Sequence, residues 1–484
     1  MKQKSIKLNF IMNAILQISA FIFPLITFPY VSRILGPSGT GNVSFATSIV
    51  TYFALFAQLG IPTYGIRATA RVRDDKRLLS KTVQEIFIIN AVMCVLAYIV
   101  FFVVLNLVPK MYNDRFLFII ISATILFNSV GMDWLYKGLE KYIYITFVSI
   151  TFKFIALILM FVCVHHKNDY VIYGAISIFA ASASNICNLV NIHKLIYIKP
   201  ILNYEFTKHF RPIMIFFAMS CATTIYTNLD TVMLGFMKDN VEVGYYNAAI
   251  KIKNVLLGVV TSLGTVLLPR ASYYVENNMY SEFKRIAGKA LNFVVLISFP
   301  LCLYFILFAK EGVLFLSGDA YTEAILPMQI LMPTLIFIGL TNIMGIQMLI
   351  PLGREKVVLY SEIAGAIVDL AINIILIPIM SSSGAAIGTL VAEGVVWMVQ
   401  YQALKELVKE SYLKIKYIPI FLGITLAGIL SYFIKSLYLN SFLTLLLSAV
   451  IFFAVYLIVL TLAKESLINE IEYQILEKIL KKGE

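Results

Sequence analysis

Apolar runs of about 20 residues follow one another from residue 10 to residue 463, with only short charged stretches between them. A bilayer core about 30 Å thick is crossed by about 20 mostly apolar residues in a helix, and within hydrocarbon a spanning helix satisfies its own backbone. The succession of runs therefore predicts an all-α integral membrane protein. Composition agrees, since 60% of the 484 residues are hydrophobic and 14% charged, against about 45–50% and about 25% in soluble domains. We count fourteen runs, among them 10–33, 41–64, 142–164, 212–235, 243–268, 357–379, 384–404, 417–435 and 441–463. The first is too long for a signal-peptide core and has no small-residue cleavage site, so it is expected to remain as a span.

A net charge of +12 would suit a nucleic-acid binder if the basic residues clustered on a soluble face. They instead alternate with the spans: 29 of the 39 lysines and arginines fall on one side, seven on the other, and Lys153, Lys251 and Lys253 lie inside spans. By the positive-inside rule both termini are cytoplasmic, and no nucleic-acid partner is implied. The five cysteines all sit in apolar runs without CxxC spacing, and the four histidines show no metal-ligand spacing. The sequence points to no cofactor and no firm metal site.

The stretch "ILGPSGTGNVSFA" between the first two spans recurs as "MLGFMKDNVEVGYYNAA" between the seventh and eighth. Gly41 to Ala46 falls on Gly244 to Ala249, and the same offset carries Arg67-Ala68 onto Arg270-Ala271. Further on, "KGLEKY" matches "LGREKV" and "YGAISI" resembles "SGAAIG", in the same order and between equivalent spans. Spans one to six thus repeat as spans seven to twelve with the same orientation, as in transporters that work by alternating access. The expected organisation is an N-terminal lobe at 1–193, a basic cytoplasmic linker at 194–211 and a C-terminal lobe at 212–404. Two extra helices follow at 405–463, then an amphipathic cytoplasmic tail at 464–484 lying on the membrane surface. The glycines of "GPSGTG" are expected to turn the chain sharply between two membrane helices. A phosphate-cradling loop would need a strand before it.

Ionisable groups within spans are expensive and point by default to a pathway. Asn247, Lys251, Asn254, Gly258 and Ser262 follow steps of three and four, which is one helical face, and the equivalent span carries Ser44, Ser48 and Thr51. A polar stripe in both copies predicts a wet cavity between the lobes. Lys251 is its best cation, in competition with snorkelling outward, and Lys153, deep in span five, is the second. Lys253 points about 200° away from Lys251 and ranks lower. Glu362, Asp369 and Asn373 share a face of span eleven, Thr389, Glu393 and Gln400 lie near one face of span twelve, and Asp230 sits on span seven. Such oxygens suit a small cation or a proton, or else inter-helix hydrogen bonds or an ion pair to Lys251. The basic segment 67–81 and Arg270 are candidates to gather phosphate headgroups, although topology alone accounts for basic inner loops.

The stretches "FPYVSRILGPSGTGNVSFATSIVTYF" and "LGIPTYGIRATARVRDD" resemble the start of bacterial polysaccharide flippases of the Wzx type. These share a superfamily with MATE-type multidrug antiporters and lipid II flippases. The resemblance covers the length, the fourteen spans and the two pseudo-symmetric six-helix lobes, and it is most specific over residues 29–75. It implies a transporter, not an enzyme, in the bacterial cytoplasmic membrane. The implied cargo is an undecaprenyl-pyrophosphate-linked oligosaccharide moved to the outer leaflet for a polymerase that builds capsule, O-antigen or a related polymer. In that reading Lys251 and Lys153 hold the pyrophosphate, Asn247, Asn254 and Ser48 contact sugars, Arg270 is a further substrate-binding cation, and the lipid tail stays in the membrane. By likeness to lipid II flippases, Asp230, Asp369, Asn373, Thr389 and Glu393 are expected near a coupling site for sodium or protons. Those relatives place arginines within their first span, where this chain has only Asn13 and Gln17 before Arg33, which argues against lipid II as cargo. A cation-coupled multidrug antiporter is the alternative, but it would favour an acidic N-terminal cavity, and spans one and two contain no acid. A membrane glycosyltransferase or polymerase would carry a long outer loop with catalytic acids. The longest outer loop expected here, about 310–322, offers only Glu311 and Asp319.

Overall fold

A computed structural model describes residues 6–201, 203–262 and 264–470, and every regular element among them is helical. Most of the amphipathic tail expected at 464–484 lies outside the described residues. Among the described residues ten helices are long and apolar enough to cross a membrane, or eleven if Asp319–Leu331 and Thr334–Leu349, bent by 46°, count together. Two helices are too long for one crossing. Ile6–Gln58 has 53 residues and Glu355–Lys414 has 60, which at 1.5 Å per residue is two to three times a bilayer core of about 30 Å.

Each of the two is broken at a single residue. Gly36 (φ 66°, ψ −176°) interrupts the first and Ser381 (φ 50°, ψ −128°) the second. The turn expected to occupy the whole of "GPSGTG" is thus shorter than its composition suggests. Pro37 sits at the start of the new helix, where its missing N–H has no helical acceptor to lose, and Ser38 to Gly41 are already helical. The segment 310–322, expected as the longest outer loop, is likewise no open loop, because most of it folds as the helix Ala309–Ser317.

By packing, the chain divides into two compact units, Met1–Gly244 and Tyr245–Glu484. In the first, Ile6–Gln58 is the hub, touching Lys76–Leu107, Arg115–Val130, Tyr142–Cys163 and Thr207–Met237. Glycines permit the close approaches. A Cβ on Gly235 would lie 2.0 Å from the Phe45 ring, and one on Gly60 would lie 2.4 Å from the backbone nitrogen of Phe217. Lipid is as apolar as leucine, so tight van der Waals packing and buried hydrogen bonds hold such helices together. Asn90 supplies one of these bonds, its amide donating to the Ala57 carbonyl at 2.7 Å beside the left-handed turn at Leu59 and Gly60. The helix Thr207–Met237, opening the C-terminal lobe by sequence repeat, belongs to this first unit by packing.

The linker is pinned down. Gln84 alone makes four hydrogen bonds to it, donating to the carbonyls of Tyr197 and Lys199 and accepting from the Ile201 amide and the Tyr204 hydroxyl. Ser80 accepts from the Tyr197 amide and Glu85 from the Glu205 amide. On the exposed linker, the Lys81 ammonium 2.6 Å from Glu205 holds that carboxyl below the usual carboxylate range.

In the second unit Glu355–Lys414 is the hub, packed on Tyr280–Leu307, Ile325–Leu331, Thr334–Thr341 and the wide π-turn Asn342–Leu349. Its exposure pattern separates outside from inside. Ile367 and Ile374 are 62% and 55% exposed, whereas Asp369 and Asn373 are 1% and 0% exposed. The final hairpin, Tyr417–Tyr432 with Ser441–Leu462, docks on Tyr280–Leu307 through two buried phenols. Tyr304 donates to the Leu445 carbonyl at 2.8 Å and Tyr456 to the Leu296 carbonyl at 2.9 Å. Just past the hairpin, burial pushes the Glu465 carboxyl up, but hydrogen bonds from Asn292, Ser466 and the amides of Leu467 and Ile468 outweigh it and leave the group below its ordinary pKa.

Candidate functional site

In the second unit, Asp369, Asn373, Thr389 and Glu393 are all buried. The first pair shares one face because four residues make just over a turn. Gly388, next to Thr389, lets the partner helix approach: a Cβ there would lie 2.3 Å from Asn373 Oδ1 and 2.8 Å from Asp369 Oδ1. Thr389 Oγ1 lies 2.8 Å from the Tyr246 hydroxyl and also donates to the Ala385 carbonyl. Side-chain oxygens of a carboxylate and an amide thus meet at one glycine, with a buried hydroxyl beside them. Glu362, expected on the same face, is only half-buried, and Gln400 donates instead to Ser361 at 3.0 Å. Among the described residues no three His, Cys, Asp or Glu side chains cluster closely enough to hold a metal ion.

The polar stripe on Asn240–Val260 takes the accessible side of that helix. Asn247 and Lys251 are half-buried, Asn254, Gly258 and Ser262 are exposed, and a Cβ on Gly258 would meet nothing within 4 Å. Ala249, Ile252, Leu256 and Val260 form the packed side, and Lys253 is buried with them at 8% exposure. The two lysines therefore face apart, as their spacing requires. Arg270 is exposed on Gly264–Glu276.

In the first unit, Ser48 and Asp230 are buried and Lys153 is half-buried. The Lys153 ammonium donates to Ser19 Oγ at 2.8 Å, joining span five to span one. Among the described residues no carboxylate lies within ion-pair distance of Lys153. A neutral hydroxyl positions this cation without cancelling its charge.

Two polar groupings in this unit are absent from the sequence reading. Glu85, fully buried, receives Lys208 at 2.9 Å and His209 Nε2 at 2.8 Å, and His209 Nδ1 lies 2.6 Å from the Tyr64 hydroxyl. The other is an amide chain in which Asn188 donates to Asn185 at 3.5 Å and Asn185 to Asn128 at 3.2 Å. The three-residue spacing of Ser182, Asn185 and Asn188 was its visible signal, since it places all three on one helical face.

Comparison with known proteins places this architecture. The family described as polysaccharide biosynthesis protein matches residues 6–275, and the MatE family matches residues 215–392. A candidate O-antigen transporter of Escherichia coli (strain K12) is 26% identical over 391 residues, covering 80% of this chain and 94% of that protein. One from Shigella dysenteriae is 27% identical over 419 residues, covering 83% and 100%. Among solved structures, the lipid II flippase MurJ in an inward closed conformation superposes with a TM-score of 0.73 at 16% identity, covering 93% of this chain and 98% of that one. An inward-facing multidrug resistance MATE family transporter of the MOP superfamily gives 0.60 at 14% identity, covering 80% and 95%.

Proposed function

The chain belongs to the polysaccharide biosynthesis protein family, and from that premise we propose that it flips an undecaprenyl-pyrophosphate-linked oligosaccharide from the inner to the outer leaflet of the cytoplasmic membrane. The early resemblance to Wzx-type flippases over residues 29–75 falls within the matched region. Alternating access between the lobes 1–193 and 212–404 moves the cargo, with 405–463 as an added hairpin and both termini in the cytoplasm. Fourteen spans follow if each long helix broken at Gly36 or Ser381 crosses twice, the bent pair crosses once, and Asn240–Val260 crosses despite its polar stripe.

The observation that carries this reading is Lys153, a cation inside a span whose partner is a hydroxyl. An ammonium in a span is costly unless something balances it, and a pyrophosphate passing through a cavity supplies that balance through charge-assisted hydrogen bonds. Lys251 takes the equivalent role on the accessible face of Asn240–Val260, with Asn247, Asn254 and Ser48 as sugar contacts and Arg270 near the inner headgroups. Sodium or proton coupling is assigned to Asp369, Asn373, Thr389 and Glu393, with Asp230 as a further acid. Product release to a polymerase on the outer side completes the pathway.

The test is a depletion strain complemented with wild type, Lys153→Ala or Lys251→Ala, with lipid-linked repeat units measured by mass spectrometry. Complete units are expected to accumulate on depletion and to persist with either variant at normal membrane levels. A second reading, a cation-coupled multidrug antiporter, rests on the MatE match to residues 215–392. If depletion traps no lipid-linked unit and changes only sensitivity to cationic drugs, that reading replaces the first.

A further inference from the structure

Inside the first unit lies a cavity of about 260 Å³ whose wall is made by Gln58, Asn128, Trp134, Ser149, Asn185 and Asn188, among others. Its residues come from Ile6–Gln58 and Ile61–Val72 and from the helices Arg115–Val130, Asp133–Gly138, Tyr142–Cys163, Tyr170–Ser182 and Ser184–Asn191. None of its residues is among those assigned above to pyrophosphate, sugar or coupling ion. We propose that it is a second carbohydrate subsite, holding one neutral sugar ring of the oligosaccharide beside the path taken by the pyrophosphate.

The lining selects the ligand class. The two charged residues of the wall, Asp133 and Lys137, neutralise each other at 2.5 Å. A phosphate would need a free cation there and an organic cation a free carboxylate. What remains is three asparagines, a glutamine, two serines and an indole, with Leu16, Pro62, Ile145 and Ala181 as the apolar part of the lining. Amides donate and accept at once, which matches a hydroxyl that does the same, and an indole adds a single N–H donor, its ring being packed on Gly65, where a Cβ would lie 2.5 Å from it.

Two atoms of this wall ask for a partner. Asn188 Oδ1 and Trp134 Nε1 are buried, in residues 2% and 4% exposed, and neither has a hydrogen-bond partner among the described residues. A buried polar atom left unmet costs about 1–3 kcal/mol, so an acceptor and a donor on two lining residues gain by turning to a sugar hydroxyl, which can answer either. Asn185 is meanwhile fixed in place. It donates to Asn128, accepts from Asn188 and packs on Gly131, where a Cβ would lie 2.3 Å from it. These contacts hold Asn185 in place before any ligand arrives.

Size narrows the choice further. The cavity sits just below the roughly 300–1,000 Å³ of drug-sized pockets and holds the volume of roughly eight or nine waters at about 30 Å³ each. That is room for one pyranose, with any further sugars of a repeat unit outside the cavity. Gln58, Asp133 and Lys137 lie where the basic residues put the cytoplasmic ends of the helices, the side from which the cargo would load. The assignment rests on the flippase reading for its meaning, but sugar binding is measurable without transport.

Trp134 and Trp397 are the only tryptophans, so Trp397→Phe makes Trp134 the sole reporter. Full-length Trp397→Phe protein in lipid nanodiscs is titrated with glucose, galactose, N-acetylglucosamine and N-acetylgalactosamine, with mannitol, sodium chloride and choline chloride as controls. At least one sugar is expected to give a saturable change in Trp134 emission. Adding Ser149→Phe, which fills the cavity and removes none of the amide hydrogen bonds above, should weaken that response at least tenfold while leaving the thermal midpoint in place. A response to no sugar, the same response to mannitol, a response to a salt alone, or binding unaffected by Ser149→Phe overturns the subsite. The flippase reading fails separately, by the absence of trapped lipid-linked units on depletion.

Discussion

The two turns at 36–41 and 238–244 solve one problem with different residues. In the first copy Gly36 breaks the helix at φ 66° and Pro37 restarts it. In the second, Lys238 breaks it at φ −127°, ψ −124° and Asp239 restarts it, accepting from the amides of Val241 and Glu242 at 2.9 and 3.0 Å. The copies then converge on the same feature, because the equivalent glycines are where the turns cross. A Cβ on Gly41 would lie 1.6 Å from the Asn240 carbonyl oxygen, and one on Gly244 would lie 2.1 Å from that of Pro37. Asn240 donates to Asn42 at 2.7 Å beside the crossing. What the repeat preserves is the close approach, while the means of breaking the helix is free to differ.

The largest effect is expected at the crossing. Gly41→Val or Gly244→Val must push backbone from backbone, so each should destabilise by more than about 3 kcal/mol and abolish polymer export; thermal unfolding of purified protein and complementation check this. An export-competent Gly41→Val would break the comparison. Next comes Gly36→Ala, which meets nothing within 4 Å and is strained only through φ. About 1–3 kcal/mol is expected, with the protein still inserted. Its counterpart is Ser381, also at positive φ, where Ser381→Gly should raise the thermal midpoint by relieving similar strain. Asp239→Ala removes the cap and should lower stability by about 1 kcal/mol, an effect absent from the first copy, which has no such cap to lose. Smallest is Asn42→Ala, about 0.5–1.5 kcal/mol for one hydrogen bond, and a double-mutant cycle with Asn240→Ala should show the two changes to be non-additive.

Legibility in the sequence followed period and repetition. The stripe on Asn240–Val260 emerged on one helical side as its spacing required, and Lys253 on the other. Asp369 and Asn373 were readable as a buried pair because four-residue spacing fixes a face. The contact of their oxygens with Gly388 was not, because it depends on how closely two helices approach after the turn at Ser381. Glu85 and His209 lie 124 residues apart, and nothing in either segment names the other. The sugar-sized cavity draws on Ile6–Gln58, Ile61–Val72 and five further helices, each unremarkable alone.

By itself the sequence determined that this chain lives in a membrane, that its first half is echoed in its second, and which residues share a face. Hydrophobic length, charge alternation and helical period are local properties, and hydrocarbon leaves the backbone little other choice. Only the tertiary structure decided that the helix Thr207–Met237 packs with the first unit, that the linker is tied to Gln84 and Glu85, and that a handful of amides from separate helices line one cavity. Those outcomes depend on which faces meet and how near glycine lets them come, and such distances are set by pairs of segments, never by one.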